Sequence, residues 1–239
     1  MSSTPLSPVG RDWIARWREF QQTKLYDALA ALPIILWYAL SVANMVPALA
    51  HEIAQRDRAD IDSRFIVSML GSLAAILFIS LALVLLVVRK TPKARAKGIA
   101  PRLCAFGGAF LMVSVVWLPQ QPIGLVLSLL SLALIFGGIS FSSFALLHLG
   151  RSFSLMAEAR HLVTGGPYAL IRHPIYLGEA ISTLGLMLQY LSPLAIALVA
   201  VQLAFQFIRM KNEEQVLSDL FPEYQLYRLR TARLLPGLY

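Results

Sequence analysis

The residues of this chain best suited to chemistry fall in two short stretches and along one helix face. The first stretch is His161, then Gly165-Gly166-Pro167-Tyr168, then Arg172-His173-Pro174-Ile175-Tyr176, with Gly178 and Glu179 just beyond. Pro174 suits the first turn of a helix, where its missing N–H costs nothing. Arg172 and His173 then stand beside that helix's free N–H groups and positive dipole end, an arrangement that suits an anionic ligand group. Gly165-Gly166-Pro167 offers backbone that a ligand can approach closely. The second stretch is Glu213-Glu214, adjacent carboxylates that can accept from an ammonium or from hydroxyls. The face is formed by Gln202, Gln206, Arg209 and Glu213, whose steps of 4, 3 and 4 keep them on one side of a helix. Each feature also has a plain structural use. Arg and His anchor helices at a membrane boundary, Gly-Gly-Pro makes a turn, and Glu179 can pair with Arg209 or Arg172. Glu213-Glu214 can open an amphipathic helix, since Val216, Leu217, Leu220, Phe221 and Tyr224 follow at helical spacing. Ionisable groups inside apolar segments, however, usually face a cavity or a partner.

The elements that must position these residues are membrane helices. Of 239 residues, 57% are hydrophobic and 14% charged, and the mean hydropathy is +0.66. Soluble domains carry about 45–50% apolar and about 25% charged residues. That excludes a soluble globular enzyme, a disordered chain and a collagen-like or coiled-coil rod. Apolar runs cover Leu25–Ala50, Phe65–Val88, Leu103–Leu118, Ile123–Leu149, Ile175–Leu191 and Leu194–Ile208. The third stops at Pro119-Gln120-Gln121-Pro122, a turn signal. The last two, parted by Ser192-Pro193, would together make a helix of about 50 Å, too long for a hydrocarbon core of about 30 Å. They read as a hairpin. The expected fold is an all-α polytopic membrane protein of about six transmembrane helices. The single Cys104 excludes an intrachain disulfide and a cysteine metal site, and no metal is expected. The first run follows a polar segment and is long enough to span, so no cleaved leader is expected.

Charge orients the bundle. The N-terminal tail, the 89–102 loop, the 150–173 loop and the C-terminal tail hold 18 of the 21 Lys and Arg residues, leaving Arg56, Arg58 and Arg64 opposite. The positive-inside rule then puts both termini and the candidate residues on the cytoplasmic side. These charges flank spans and belong to no nucleic-acid module, so no nucleic-acid partner is expected. Trp13, Ile14, Trp17 and Phe20 share one helical face of the tail, which suits a short interfacial anchor. Gly137, Gly138, Ser140, Ser142 and Ser143 in the fourth run permit close helix packing. The chain divides into a tail (1–24), a four-span region on the substrate side (25–149) and a region holding the candidate site (150–239).

Gly166-Pro167-Tyr168, then Arg172-His173-Pro174-Ile175-Tyr176 with Gly178, a hydrophobic hairpin and Glu213-Glu214 together resemble the isoprenylcysteine carboxyl methyltransferase family. Its C-terminal cofactor region is shared with membrane phospholipid methyltransferases. The ending Phe221-Pro222-Glu223-Tyr224-Gln225-Leu226-Tyr227 with Pro236 is also similar, so the resemblance covers about residues 146–239. Residues 1–145 carry no motif of that family. The resemblance implies S-adenosylmethionine bound in a cytoplasmic-side pocket between the last spans and the tail, with a lipophilic acceptor entering from the bilayer. It implies cofactor contacts from His161, Gly165, Gly166, Pro167, Tyr168, Arg172, His173, Pro174, Tyr176, Glu213 and Glu214. The cofactor carboxylate suits Arg172, His173 or His161; its ammonium and ribose suit Glu213 and Glu214; its adenine suits Tyr168 or Tyr176. Gln202, Gln206, Tyr224 and Tyr227 are the expected acceptor-side residues. Arg209 would orient a carboxylate acceptor, such as that of an isoprenylcysteine, and Glu179 would take the proton of an amine acceptor. The alternatives are a methyltransferase for a phospholipid or another small hydrophobic molecule, an NADPH-dependent membrane reductase of sterol-reductase type, and a non-enzymatic transporter or lipid-binding protein.

Overall fold

The computed structural model describes residues 13, 16, 19–56 and 63–237. Helices dominate them: α1 (Lys24–Ala54), α2 (Ser63–Val88), α3 (Ala100–Phe110), α4 (Leu125–Leu149), α5 (Pro174–Gln189), α6 (Pro193–Leu220) and α7 (Tyr224–Arg230). Two short antiparallel strands, β1 (Ala94–Arg95) and β2 (Glu158–Ala159), join the 89–102 and 150–173 loops. The all-α membrane architecture expected from composition is therefore present. The amphipathic face expected around Trp13, Ile14, Trp17 and Phe20 lies largely outside the described residues.

Local signals set the helix starts. Thr23 accepts from the Tyr26 N–H at 3.2 Å and opens α1. Ser192 accepts from Ala195 N–H at 3.1 Å and, with Pro193 in the first turn, opens α6. Pro174 takes the first turn of α5, as its position in the sequence predicts. The hairpin turn at Ser192-Pro193 is thereby real. Four helices are long and apolar enough to cross a membrane, namely α1, α2, α4 and α6. The third apolar run tightens from α3 into a 3-10 helix, Leu111–Trp117; the two pieces together rise about 30 Å. α5 has 16 residues and rises about 24 Å. α6 departs most from expectation. It continues past Ile208 to Leu220 as one helix of 28 residues, so Glu213 and Glu214 lie within it.

Close backbone approach holds the bundle where lipid supplies no hydrophobic drive between helices. On α4 a Cβ at Gly138 would come within 2.5 Å of Gly178 O and of Ser182 N on α5. Ser142 Oγ donates to Ile175 O at 3.1 Å, and Ser131 Oγ to Gly185 O at 2.7 Å. Gly137, by contrast, faces open space. On the other side α3 meets α6 through Gly107 beneath Phe205 and Gly108 against the Arg209 side chain. Buried Ile34, Ala82, Leu86, Leu146, Phe153 and Leu155 pack α1, α2 and α4 onto the loop after α4.

At one end of the bundle these same elements meet in a buried ionic knot. Asp27 of α1, 1% exposed, accepts from Arg89 Nε and Nη2 at 2.9 Å each and from Arg160 Nη2 at 3.0 Å. Glu158 adds ion pairs to Arg160 at 2.6 Å and to Arg95 at 3.3 Å. Lys24 donates to the Arg89 carbonyl, and Arg160 to that of Lys90. Burial pulls the Arg89 guanidinium below its ordinary value. The basic segments read as one-sided from the sequence thus converge at one end of the helices.

Candidate active site

Glu214 is buried on α6 and is surrounded by basic side chains. Its Oε1 lies 2.9 Å from Arg172 Nε, 3.1 Å from His173 Nε2 and 3.1 Å from Arg233 Nε, and its Oε2 lies 2.7 Å from Arg233 Nη2. Backbone bonds fasten the same place: Arg172 N–H donates to Ala232 O at 2.9 Å and His173 N–H to Arg233 O at 3.2 Å. Arg172 Nη1 reaches the carbonyls of Arg228, at 3.0 Å, and Thr231. The Arg-His pair before α5 therefore meets a carboxylate of its own chain, and Glu214 clamps the returning tail to the hairpin. Glu213 is one residue, and so about 100° of helix, away. It is 23% exposed, accepts from the Tyr176 hydroxyl and lies 3.9 Å from His173 Nδ1.

A cavity opens beside this clamp. His161, Tyr168, Arg172, His173, Tyr176, Glu179, Arg209, Glu213, Tyr224 and Tyr227 line it, all of them candidates from the sequence. Apolar walls come from Phe78, Leu149, Phe153, Leu155 and Ile175. The remaining candidates stand outside its lining. Gly166, at φ +59°, presses against the His148 ring, which explains that glycine by a turn and a packing contact. Gly165, Pro167 and Pro174 also lie outside the lining, as does Gln202, whose amide donates to Gly108 O. Gln206 Nε2 donates to Glu179 Oε2 at 3.0 Å, so the partner of Glu179 is a carboxamide rather than Arg209 or Arg172.

Arg209 carries two unsatisfied guanidinium N–H groups in the cavity wall, with the carboxylates of Glu179 and Glu213 acting on its charge through space. It is 5% exposed, its guanidinium carbon sits 4.8 Å from the Tyr176 ring centroid, and its Nη2 lies 3.4 Å from Leu155 O. Its Nε and Nη1 are buried with no hydrogen-bond partner among the described residues. The hydroxyl of Tyr224 is buried and unpartnered in the same sense. Tyr227 Oη donates to Tyr168 O at 2.6 Å, and burial pushes its phenol up to about 12. Burial likewise raises Tyr168 and Tyr224 above the ordinary phenol value.

Sequence reasoning missed contributors from the front of the chain and from the loop after α4. Tyr38 and Phe78, from α1 and α2, reach the cavity although no motif marks them; a tyrosine inside an apolar run was the available signal for the first. Arg160, expected only as a loop charge, lines the cavity as well, and its partner Asp27 lies 133 residues away.

A helical membrane bundle that closes a polar, aromatic-walled cavity at one end defines the class of protein: a polytopic membrane protein with an internal cavity lined by the 150–173 loop, the last two long helices and the tail. Residues 103–224, just over half of the chain, match the family described as phospholipid methyltransferase, and the chain belongs to that family. The family resemblance carried by Arg172-His173-Pro174 and Glu213-Glu214 is accordingly sound. The chain is also similar to the cobalt-zinc-cadmium resistance protein CzcN of Cupriavidus metallidurans, 37% identical over 79 residues, which are 32% of this chain and 36% of that protein. It is similar to the nickel-cobalt-cadmium resistance protein NccN of Alcaligenes xylosoxydans xylosoxydans, 34% identical over 83 residues, 34% of this chain and 38% of that protein. The chain thus spans little more than a third of the length of the curated relatives it matches.

Proposed function

We propose that this protein transfers a methyl group from S-adenosylmethionine to the carboxylate of a lipophilic acceptor of isoprenylcysteine type. Arg209 is the observation that carries the reading. A buried guanidinium with two unpartnered nitrogens is costly unless an anion completes it, and the cavity beside it is walled by apolar side chains that suit a lipid tail. The donor-binding end fits as well. The Glu213 carboxylate is reachable from the cavity and suits an ammonium, while the unpartnered Tyr224 hydroxyl suits a ribose or adenine atom. His161, exposed at the rim, and the rings of Tyr168 and Tyr176 complete that end.

The bound donor supplies a methyl group on a sulfonium, ready for in-line displacement. The residues of the chain then mainly position and exclude water. Arg209, its stem braced by Gly108 and its plane over Tyr176, holds the acceptor carboxylate. That carboxylate is already ionised, so no general base is required. Glu179, fixed by Gln206, borders the acceptor end and would take a proton only if the acceptor were an amine.

Titration of the detergent-purified protein with S-adenosylhomocysteine and with NADPH tests the donor. Saturable binding of the first alone is expected; binding of NADPH alone, or of neither, overturns the reading. Incubation of labelled donor with a farnesylcysteine-type carboxylate and with a phosphatidylethanolamine-type amine tests the acceptor. Label on the amine alone would refute the carboxylate. Arg209→Gln should lower kcat by about 100-fold or more, the loss of a charge-assisted contact in a dry site, with S-adenosylhomocysteine affinity nearly unchanged.

A further inference from the structure

Helix α7 presents two unlike faces. Its inner face carries Tyr224, buried, and Tyr227, bonded to the Tyr168 carbonyl; both line the cavity. Its outer face carries Leu226, 60% exposed, and Leu229, 83% exposed, three residues apart and so on one side of the helix. Arg230 is exposed about 40° of helix from Leu226, Arg228 is exposed next in sequence to Leu229 but turned about 100° from it, and Leu170, 70% exposed, projects from the turn that Tyr227 ties to α7.

The depth of this face follows from the chain path. After α7 the tail runs back to the mouth of α5, where Ile171 pairs in parallel with Ala232, and Arg172 Nη1 bonds Arg228 O at 3.0 Å. Residues 228–233 therefore stand level with Pro174, where the apolar run of α5 begins. An apolar run that begins at Ile175 sets the edge of the hydrocarbon layer near that level on the reading argued below. Leucines exposed there meet headgroups and the first acyl carbons rather than bulk water, and neighbouring guanidiniums meet lipid phosphate.

We propose that the outer face of α7, with Leu170, seats in the headgroup layer of an anionic bilayer, and that this seating holds Tyr224 and Tyr227 in the cavity wall. Site closure is then coupled to the membrane surface, through a helix whose other face is part of the site. The seating itself is independent of which donor binds; only the coupling readout rests on the donor reading above.

The test uses the full chain in lipid nanodiscs with Cys104→Ser and one nitroxide, at Leu229→Cys or at Asp219→Cys, an exposed α6 position about one and a half turns past the Glu pair. Power saturation compares collisions with oxygen and with a water-soluble nickel chelate. The label at 229 should favour oxygen and the label at 219 should favour nickel; equal nickel access at the two positions overturns the seating. The coupling is read by S-adenosylhomocysteine affinity in anionic and zwitterionic nanodiscs. Anionic lipid should tighten binding by about five-fold or more, given about 1 kcal/mol for each arginine near the surface. Arg228→Gln with Arg230→Gln should erase that difference, and Leu226→Ser with Leu229→Ser should weaken binding in both lipids. These side chains are exposed, so folding is not at stake. Affinity indifferent to lipid charge and to both double variants overturns the coupling. A wild-type protein that binds no S-adenosylhomocysteine while its 229 label favours oxygen would refute the donor reading and support the seating.

Discussion

Replacing Glu214 by Gln should unfasten the tail from the hairpin. The wild-type carboxylate receives contacts from three basic side chains, two on Oε2 and Oε1 from Arg233 alone, all at 2.7–3.1 Å and nearly out of solvent. Glutamine keeps one acceptor oxygen and turns an amide NH2 toward guanidinium donors. Hydrogen bonds to charged groups contribute about 1.5–3 kcal/mol each. Contacts in one network do not add, so the expected cost is that of breaking a buried pair, about 3–5 kcal/mol. For a chain of this size about 2–4 °C accompanies each kcal/mol, and the melting temperature should fall by about 10 °C. The half-buried Cys104 provides the assay, because a thiol-reactive fluorogenic dye reports unfolding from the only cysteine in the chain. Trypsin should also cut at Arg228 and Arg230 sooner than in the wild type. Melting within about 2 °C of the wild type, a shift under 1 kcal/mol on the same scale, with unchanged trypsin sensitivity would refute the clamp.

Glu213→Gln, next in sequence, should behave otherwise: a cost of about 1 kcal/mol for one hydrogen bond, but a clear loss of S-adenosylhomocysteine affinity, measured by calorimetry. Asp27→Asn leaves Arg89 buried without its carboxylate and Arg160 with Glu158 alone, and should cost about 3–5 kcal/mol; hydrogen exchange should quicken in residues 89–95 and 153–160, and unchanged exchange there would contradict the knot. Gly138→Val drives side-chain atoms into the Gly178 carbonyl and Ser182, an overpacking that costs about 1–3 kcal/mol or more. The Cys104 melt should register it, whereas Gly137→Val, facing open space, should melt like the wild type.

Local chemistry made much of this fold legible in advance. Pro174 and Ser192-Pro193 mark helix starts through capping rules that operate over a few residues, and both starts stand where the sequence puts them. The convergence of candidate side chains on one cavity followed from the hairpin, since two antiparallel helices return His173 and Glu213 to the same end. Long-range pairing was not legible. Asp27 reads as a first-turn acid of α1, and nothing local indicates that its partners lie 62 and 133 residues away. Glu213 and Glu214 read as a pair, yet adjacent positions on a helix face differently, so one is open to the cavity and the other is spent on Arg172, His173 and Arg233. The apolar run ends well before α6 does, because the polar stretch of the helix from Arg209 onward is stabilised by contacts with the tail and β2 rather than by lipid.

The knot around Asp27 has a consequence for exchanging parts of this protein. Asp27 and Arg89 precede the family-matched segment, which begins at Leu103, whereas Arg160 lies inside it. A chimera that takes its first two spans from another protein, to alter which lipid is accepted, would sever the knot at that junction. It would fold with its cavity wall in place only if the donor brought an acid and an arginine at the positions of Asp27 and Arg89. The integrity of the cavity wall thus depends on residues ahead of the family-matched segment, and the front half is not an interchangeable module.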